Sequence, residues 1–141
     1  MSGTDQAATI ETSFQGLRTI AVVGASANPA RPSHGVMRYL LRAGYDCIPV
    51  NPGHAGGMIL DRPCFASLAD VPTPIDMVDV FRRTDAIPGV VEEVLALDPL
   101  PRVLWLQLGI RHEAAAERAR RAGMIVVQDR CTKIEHARLT R

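Results

Sequence analysis

The chain has 141 residues, of which 47% are hydrophobic and 22% charged, and its formal net charge is +1. This length allows one domain with a sizeable core and is short for two. The near-neutral charge argues against a broad electrostatic surface for nucleic acid or an anionic membrane, and no apolar run approaches the roughly 18 residues of a membrane span.

The cysteines and the first residues bear on where the protein works. Cys47, Cys64 and Cys131 are odd in number and widely spaced, so they indicate neither a disulfide framework nor a zinc site. The first residues carry no basic region followed by a long apolar run, so we do not expect a secretory signal. We expect a cytoplasmic protein with reduced thiols, forming one domain over 1–141 whose first residues, 1–15, are a loose or helical leader.

The first third of the chain is predicted to alternate between strand and helix. Residues 18–23 are predicted to form a strand buried on both faces, because its apolar residues do not alternate with polar ones, and residues 24–32 form a loop. Ser33 is a plausible N-cap for a helix whose apolar residues recur at helical spacing and which ends at Gly44. Residues 45–50 follow as a second apolar strand.

The middle of the chain is less regular. Residues 51–57 are a flexible loop rich in glycine, and residues 58–65 form either a short strand or an extended connection. Residues 67–70 resemble one helical turn, and residues 75–81 are predicted to form the third strand. Pro49, in the second strand, indicates a sheet position whose N–H is not needed.

The last part of the chain returns to alternation. Thr84 can cap a helix over 85–97, and a fourth strand is predicted over 102–108. A helix over 112–122 and a fifth strand over 124–127 follow, and the tail after them is polar and mixed. Strands that alternate with helices imply a parallel sheet with right-handed crossovers. We therefore predict an α/β fold: one doubly wound sheet of about five parallel strands, with helices on both faces.

Ligands in such sheets bind at the carboxyl ends of the strands, at the point where the strand order reverses. That rule selects the loops over 24–33, 51–57, 81–84, 107–111 and 128–131. In the first of them, Gly24, Ala25 and Ser26 can point backbone N–H groups at a phosphate, helped by the next helix N-terminus. A tight turn explains the glycine equally well, because the next glycine is Gly35 and no full dinucleotide fingerprint is present. Arg31 and Ser33 favour the phosphate site.

The second and third loops carry further candidates. An NAD site normally has an acidic residue at the end of the second strand, where this chain has Asn51 and Pro52. These two residues can hold a flat ring, or they form an ordinary turn. Phe81, Arg82 and Arg83 leave the third strand at the same edge; at most one arginine is expected to face the site, and a solvated turn is the alternative reading.

Residues for catalysis are few. Cys131 has His136 five residues on, but a nucleophile needs a base within hydrogen-bond reach, and the sequence does not establish one. His34 could donate to a phosphate, and His54 and His112 have no metal-ligand partner nearby. We therefore expect no catalytic residue and no metal site.

Six motifs in order give the chain a resemblance to a known family. They resemble the small stand-alone CoA-binding proteins, which are similar to the CoA-binding Rossmann domain of the succinyl-CoA synthetase α-subunit, over about residues 14–138. The motifs are V-V-G-A-S (22–26), R-P-S-H-G (31–35), G-Y-D-C-I-P-V-N-P (44–52), D-M-V-D-V-F-R-R (76–83), W-L-Q-L-G-I (105–110) and D-R-C-T-K-I-E (129–135).

The resemblance implies a Rossmann-like domain that holds coenzyme A, or an acyl-CoA, along its carboxyl edge. The glycine turn, with Arg31 and Ser33, would meet the CoA phosphates. Asn51-Pro52 and Phe81-Arg82-Arg83 would frame the adenosine and its 3′-phosphate. Gln107 and Gly109 would border the pantetheine path.

Three readings of the function follow. The first is a non-catalytic binding module for CoA or acyl-CoA, because the synthetase needs a further domain with a phosphorylated histidine and this chain ends at Arg141. The second is a small enzyme or enzyme subunit acting on a CoA thioester or an NAD(P)-linked substrate. The third, a nucleotide- or redox-sensing regulator, would need a DNA-binding segment, and none is visible. No nucleic-acid or membrane partner is expected, and the sequence names no protein partner.

Overall fold

The computed structural model describes the backbone of residues 3–141 and side chains from residue 6, so the first two residues of the expected leader lie outside the described residues. The strands are β1 (Thr19–Val23), β2 (Asp46–Val50), β3 (Met58–Ile59), β4 (Arg62–Pro63), β5 (Met77–Val80), β6 (Val103–Leu106) and β7 (Ile125–Val127). The α-helices are α1 (Gly3–Phe14), α2 (Pro32–Arg42), α3 (Ile87–Leu95), α4 (Glu113–Arg121) and α5 (Thr132–Leu139). Short 3₁₀ helices cover Pro52–His54, Leu68–Asp70 and Thr84–Ala86.

Five of the strands form one parallel sheet, in the order β2-β1-β5-β6-β7. Successive residues of β1 point to opposite faces of this sheet. Ala21 and Val23 pack in a core with α3 and α4, whereas Ile20 and Val22 pack in a second core with α1 and α2. The predicted α/β fold, a Rossmann-like parallel sheet with helices on both faces, is confirmed.

The strand order reverses beside β1. The chain passes from β1 to β2 on one side and then returns to β5 on the other, so the switch point lies between β1 and β5 at their carboxyl ends. Because β2 is an edge strand, its outer backbone groups have no partner in the sheet; the carbonyl of Pro49 accepts instead from the Phe65 N–H at 3.1 Å. Proline fits this outward position, since its nitrogen has no hydrogen to donate.

Two predicted helix caps are wrong. Helix α2 begins at Pro32, with Arg31 as its N-cap, so Ser33 lies inside the first turn. Proline favours this earlier start because its fixed φ suits the first helical position. A 3₁₀ turn intervenes after Thr84, and α3 begins only after Ala86, which caps it without a side-chain bond.

The segment predicted as a short strand or an extended connection is a hairpin of β3 and β4. Its turn consists of Leu60 and Asp61, which have φ angles of 52° and 62°. Positive φ at both central residues is typical of a type I′ turn, which matches the twist of paired strands. Asn-Gly, the usual signal for this turn, is absent, so the sequence does not predict it.

The polar tail after β7 contains helix α5, which the hydrophobic pattern does not predict. The buried residues of this helix include Thr132 and Glu135, whereas Ile134 and Leu139 are exposed. The usual apolar stripe that marks a helix is therefore inverted. None of the described helices has the length and apolar character needed to cross a bilayer.

Candidate functional site

A cavity of about 1060 Å³ opens at the carboxyl edge of the sheet, beside the switch point. It reaches the upper end of the range of about 300–1,000 Å³ usual for small-molecule sites, so it suits a long ligand. Two of the residues predicted from the sequence, Ala25 and Gly109, lie outside its lining. The others line it: Gly24, Ser26, Arg31, Ser33, Asn51, Pro52, Phe81, Arg82, Arg83 and Gln107.

Gly24 turns the chain at the end of β1. Its φ is +86°, and a Cβ atom built on it would lie 2.6 Å from the carbonyl oxygen of Phe81. Both observations require glycine, because an L side chain is strained at this φ and has no room beside the carbonyl. The Gly24 N–H donates to the Val50 carbonyl at 3.0 Å, so it is not free to bind a phosphate as the sequence suggested.

The free donors lie one residue further on. In the described structure, the N–H groups of Ala25, Ser26 and Ala27 have no hydrogen-bond partner. The adjacent α2 is capped by Arg31 without a side-chain bond, and of the described first-turn groups the Ser33 N–H is left free, because Pro32 has no N–H and the His34 N–H donates to the Arg31 carbonyl at 3.1 Å. Buried Ser33 lines the cavity, and its hydroxyl has no partner among the described side chains. Together these groups are candidate hydrogen-bond donors for an anion.

Three arginines line the cavity, and two of them are unpaired. Arg31 and Arg82 are exposed and make no ion pair with any described residue, whereas Arg83 lies 3.7 Å from the Asp85 carboxylate. Both Arg82 and Arg83 line the cavity, contrary to the expectation that at most one would. We call Arg31, Arg82 and the turn over 24–27 the arginine end. Among the described residues, Glu93 is the only carboxylate in the cavity lining, so the net charge of the lining is positive.

Both polar atoms of the Asn51 side chain make a hydrogen bond within the protein. Its Nδ2 donates to the Ala25 carbonyl at 2.7 Å, and its Oδ1 accepts from the Gly53 N–H at 2.8 Å. A carboxylate could not make the first of these bonds because it has no hydrogen to donate. Asn51 therefore ties the end of β2 to the turn after β1, and the position where NAD sites carry an acid has a structural role here.

Another part of the cavity lining comes from buried residues that follow β6 and β7. Gln107, which follows β6, lines the cavity together with Cys131. Its Nε2 lies 2.7 Å from Asp79 Oδ1 and 2.9 Å from Thr132 Oγ1, and the Thr132 hydroxyl donates to Asp79 Oδ2 at 2.9 Å. We call Asp79, Gln107, Thr132 and Cys131 the buried end.

Asp79 is a residue that the site prediction missed. Its sequence signal is an acid inside the apolar run of β5, a place where charge is costly unless it has partners. Burial raises the pKa of Asp79 to about 7, and its hydrogen bonds to Gln107 and Thr132 act in the opposite direction. Burial, with a smaller contribution from Asp79, raises the pKa of the Cys47 thiol to about 12.

A second turn places Cys131 in the cavity. The Asp129 carboxylate accepts from the Gly109 N–H at 2.7 Å, and the Trp105 indole donates to the Arg130 carbonyl at 2.8 Å. These bonds join the W-L-Q-L-G-I segment to the D-R-C-T segment. Gly109 therefore supports the site without lining it, since its N–H is already used.

His136 and His112 are engaged in contacts within the protein. His136 Nδ1 lies 2.8 Å from the Tyr39 hydroxyl, and the ring centroids of Phe14, Tyr39 and Tyr45 are each 5.5 Å from that of His136. Burial lowers the pKa of His136. His112 caps α4 by accepting from the Ala115 N–H. Among the side chains that the structure describes, no group of three or more His, Cys, Asp or Glu could hold a metal ion.

One family matches most of the chain, and two known proteins are similar to nearly all of it. The family described as "CoA binding domain" matches residues 18–137. The Bacillus subtilis (strain 168) protein YneT is 41% identical over 130 residues, which are 92% of this chain and 93% of YneT. A Thermus thermophilus protein, cell-free ID.343, has a solved structure with a TM-score of 0.85 and 42% identity, covering 99% of both chains.

A larger enzyme contains a similar unit. Acetyl-coenzyme A synthetase 1 of Ca. Korarchaeum cryptofilum, solved in complex with phosphate and ADP, matches with a TM-score of 0.66 and 25% identity. The match covers 77% of this chain but 25% of the synthetase. The shared unit is therefore a small part of that protein.

Proposed function

The chain belongs to the CoA-binding domain family, and from this premise we propose that it binds coenzyme A, or an acyl-CoA, as a non-catalytic module. The observation that carries the proposal is the pairing of unpaired arginines with free backbone donors at the switch-point cavity. Coenzyme A offers a pyrophosphate and a 3′-phosphate at one end and a pantetheine arm at the other. The cavity has an arginine end and a buried end to match.

The arginine end fits the phosphates by charge and by geometry. The free N–H groups after Gly24 and the start of α2 favour an anion through their aligned dipoles. Arg31 and Arg82 can each grip a phosphate through two parallel hydrogen bonds. Because neither arginine has an ion pair to break, binding costs no internal contact.

Asn51 supports the preference for CoA over NAD. An acid at this position would hold the ribose hydroxyls of NAD, but it would also repel a 3′-phosphate. Asn51 is neutral, so it does not repel the phosphate, and its amide, which is bonded to Ala25 and Gly53, does not offer the two carboxylate oxygens that hold the ribose hydroxyls of NAD.

The non-catalytic role is supported by the surroundings of Cys131. The base that the sequence suggested for this thiol, His136, is hydrogen-bonded to Tyr39 inside an aromatic cluster. The carboxyl at the buried end, Asp79, is 0% exposed and contacts Gln107 and Thr132 rather than the cavity. A nucleophile without a nearby base is weakly activated.

Calorimetry with CoA, acetyl-CoA, NAD and NADP tests the proposal. We expect both CoA species to bind at least about tenfold more tightly than either dinucleotide, from the contribution of phosphate contacts. Tighter binding of NAD than of every CoA species would overturn the proposal. Turnover of an acyl-CoA by the purified protein would contradict the non-catalytic role alone.

A matched variant probes the reason for the preference. Asn51→Asp replaces the amide by an acid of the same size, so it adds a negative charge and removes the bond to the Ala25 carbonyl. We expect CoA binding to weaken by about tenfold or more and NAD binding to weaken less. Equal losses for both ligands would mean that the variant disturbs the turn without selecting between them.

A further inference from the structure

The buried end contains a set of hydrogen bonds whose donors can be counted. Asp79 and Thr132 are 0% exposed and Gln107 is 4% exposed, so these polar groups are satisfied by one another. An ionised carboxylate only accepts hydrogen bonds, an amide nitrogen donates two, and a hydroxyl donates one. The Thr132 hydroxyl donates its one hydrogen to Asp79 Oδ2.

The amide of Gln107 has one orientation that fits this count. Its two hydrogens go to Asp79 Oδ1 and to Thr132 Oγ1. The reverse orientation would place the amide oxygen against the carboxylate, with two acceptors facing each other and no hydrogen between them. Leaving buried groups unpaired in this way is unfavourable, because they have lost their bonds to water without replacing them. The carboxylate therefore fixes which end of the amide faces away from it.

The remaining atom of the amide is a free acceptor. Gln107 lines the cavity, and its Oε1 makes no hydrogen bond with any described residue. The backbone holds the residue in place, because its N–H donates to the Val80 carbonyl and its own carbonyl accepts from the Ile110 N–H. The cavity thus receives one oriented carbonyl oxygen from its buried end.

We propose that Gln107 Oε1 accepts a hydrogen bond from an amide N–H of the ligand's pantetheine arm, and that Asp79 is the positioning residue that holds Gln107 in this orientation. This inference rests on the proposed function. The arm carries two secondary amides, whose N–H groups are strong donors, whereas its terminal thiol is a weak donor.

The spacing of the strands supports the assignment. The phosphates would lie at the turn after β1, and Gln107 lies at the end of β6, two strands away across β5. Neighbouring strands lie about 4.8 Å apart, so the arm would cross about 10 Å to reach the amide. A pantetheine arm that leaves the phosphates in this direction would reach Gln107.

The test compares ligands with and without the arm, at pH 8. CoA and acetyl-CoA carry it, whereas adenosine 3′,5′-bisphosphate does not. We expect Gln107→Met to bind CoA and acetyl-CoA about tenfold more weakly, by loss of one buried hydrogen bond, and the bisphosphate with unchanged affinity. Gln128→Met is the matched control, because Gln128 is an equally buried glutamine outside the cavity lining, and its affinities should not change.

The outcomes separate the inference from the proposed function. If wild type binds no CoA species, the proposed function fails; if wild type binds CoA and Gln107→Met binds it within twofold of wild type, only the inference fails. A loss for CoA without a loss for acetyl-CoA would identify the thiol as the donor and overturn the amide assignment. Unchanged binding of the bisphosphate shows that each variant is folded.

A double-mutant cycle tests the role of Asp79. Asparagine can donate as well as accept, so Asp79→Asn no longer imposes one orientation on Gln107. We expect this variant to bind CoA about threefold or more weakly than wild type, and to cause no further loss in the Gln107→Met background. An equal loss in both backgrounds would show that Asp79 does not act through Gln107.

Discussion

The two ends of the cavity are built in opposite ways. At the arginine end, Arg31 and Arg82 are exposed and unpaired, whereas at the buried end Asp79, Gln107 and Thr132 are enclosed and fully hydrogen-bonded to one another except at one oxygen. An exposed charge attracts an anion from a distance, and salt screens it. A buried acceptor acts only in contact, and it disfavours a ligand that cannot donate. We infer that the arginine end supplies attraction and the buried end supplies selection.

The largest effect is expected where the arginine end is anchored to the sheet. Gly24→Ala places a Cβ at positive φ and 2.6 Å from the Phe81 carbonyl oxygen. We expect a loss of at least about 3 kcal/mol in the free energy of unfolding, from the backbone strain and the clash together. Urea unfolding measures it.

Gly44→Ala is the control for this variant, because Gly44 has a φ of +102° and nothing within 4 Å of the added Cβ. Its free energy of unfolding should fall by only roughly 1–2 kcal/mol, from the backbone strain at positive φ alone. Equal losses at the two glycines would show that the contact with Phe81 is unimportant.

The second effect concerns the buried end and pH. Burial raises the pKa of Asp79 from 3.8 to about 7, so between these values the folded state holds a proton that the unfolded state has released. Stability from this group is therefore present below about pH 4 and is lost as the pH rises through 7. Asp79→Asn cannot titrate and should not show this loss.

Unfolding free energies at pH 5 and pH 8 measure the effect. We expect wild type to lose at least about 1.4 kcal/mol more than Asp79→Asn between these two conditions, which corresponds to one pKa unit. Equal losses in the free energy of unfolding for the two proteins would show that Asp79 does not cause the pH dependence. The expected result would mean that ionised Asp79, the charged acceptor of the buried end, lowers the free energy of unfolding at pH 8.

The third effect separates the two neighbouring arginines. Arg82→Gln removes an unpaired charge, whereas Arg83→Gln removes one that already faces Asp85 at 3.7 Å. We expect Arg82→Gln to weaken CoA binding by about fivefold to tenfold, and 3′-dephospho-CoA binding less, with smaller effects for Arg83→Gln. Calorimetry at two salt concentrations should show the loss shrinking as salt rises. Equal losses of affinity for the two ligands would show that Arg82 does not bind the 3′-phosphate.

The smallest effect lies outside both ends. Tyr39→Phe removes the hydroxyl that lies 2.8 Å from His136 Nδ1, and it leaves the aromatic packing intact. We expect a loss of about 1 kcal/mol in stability and no change in CoA affinity. A change in affinity would connect this cluster to the cavity and contradict the description of His136 as structural.

The difference between the ends also explains what could be predicted from the sequence. The arginine end follows strand ends along the chain, so the placement rule for parallel sheets finds Arg31 and Arg82 as cavity-lining residues. The buried end joins Asp79, Gln107 and Thr132 from three separate elements. Their hydrogen bonds depend on packing between those elements, which no local pattern contains.

The fold shows the same limit at smaller scale. The five strands are predictable because each is a short apolar run bounded by turns. Helix α5 is not predictable in this way, because it buries Thr132 and Glu135 and exposes Ile134. The hairpin turn at Leu60 is also not predictable from the sequence, because its left-handed backbone follows from strand pairing rather than from residue preference.

The bond from Asn51 to the Ala25 carbonyl has a consequence for the kinetics of binding. It joins two turns that are 26 residues apart in sequence, and both turns contribute residues to the cavity lining. A frame already joined in this way loses little conformational entropy when a ligand enters it. Association should then be a single fast phase, and differences in affinity among ligands should appear in how long each one stays bound.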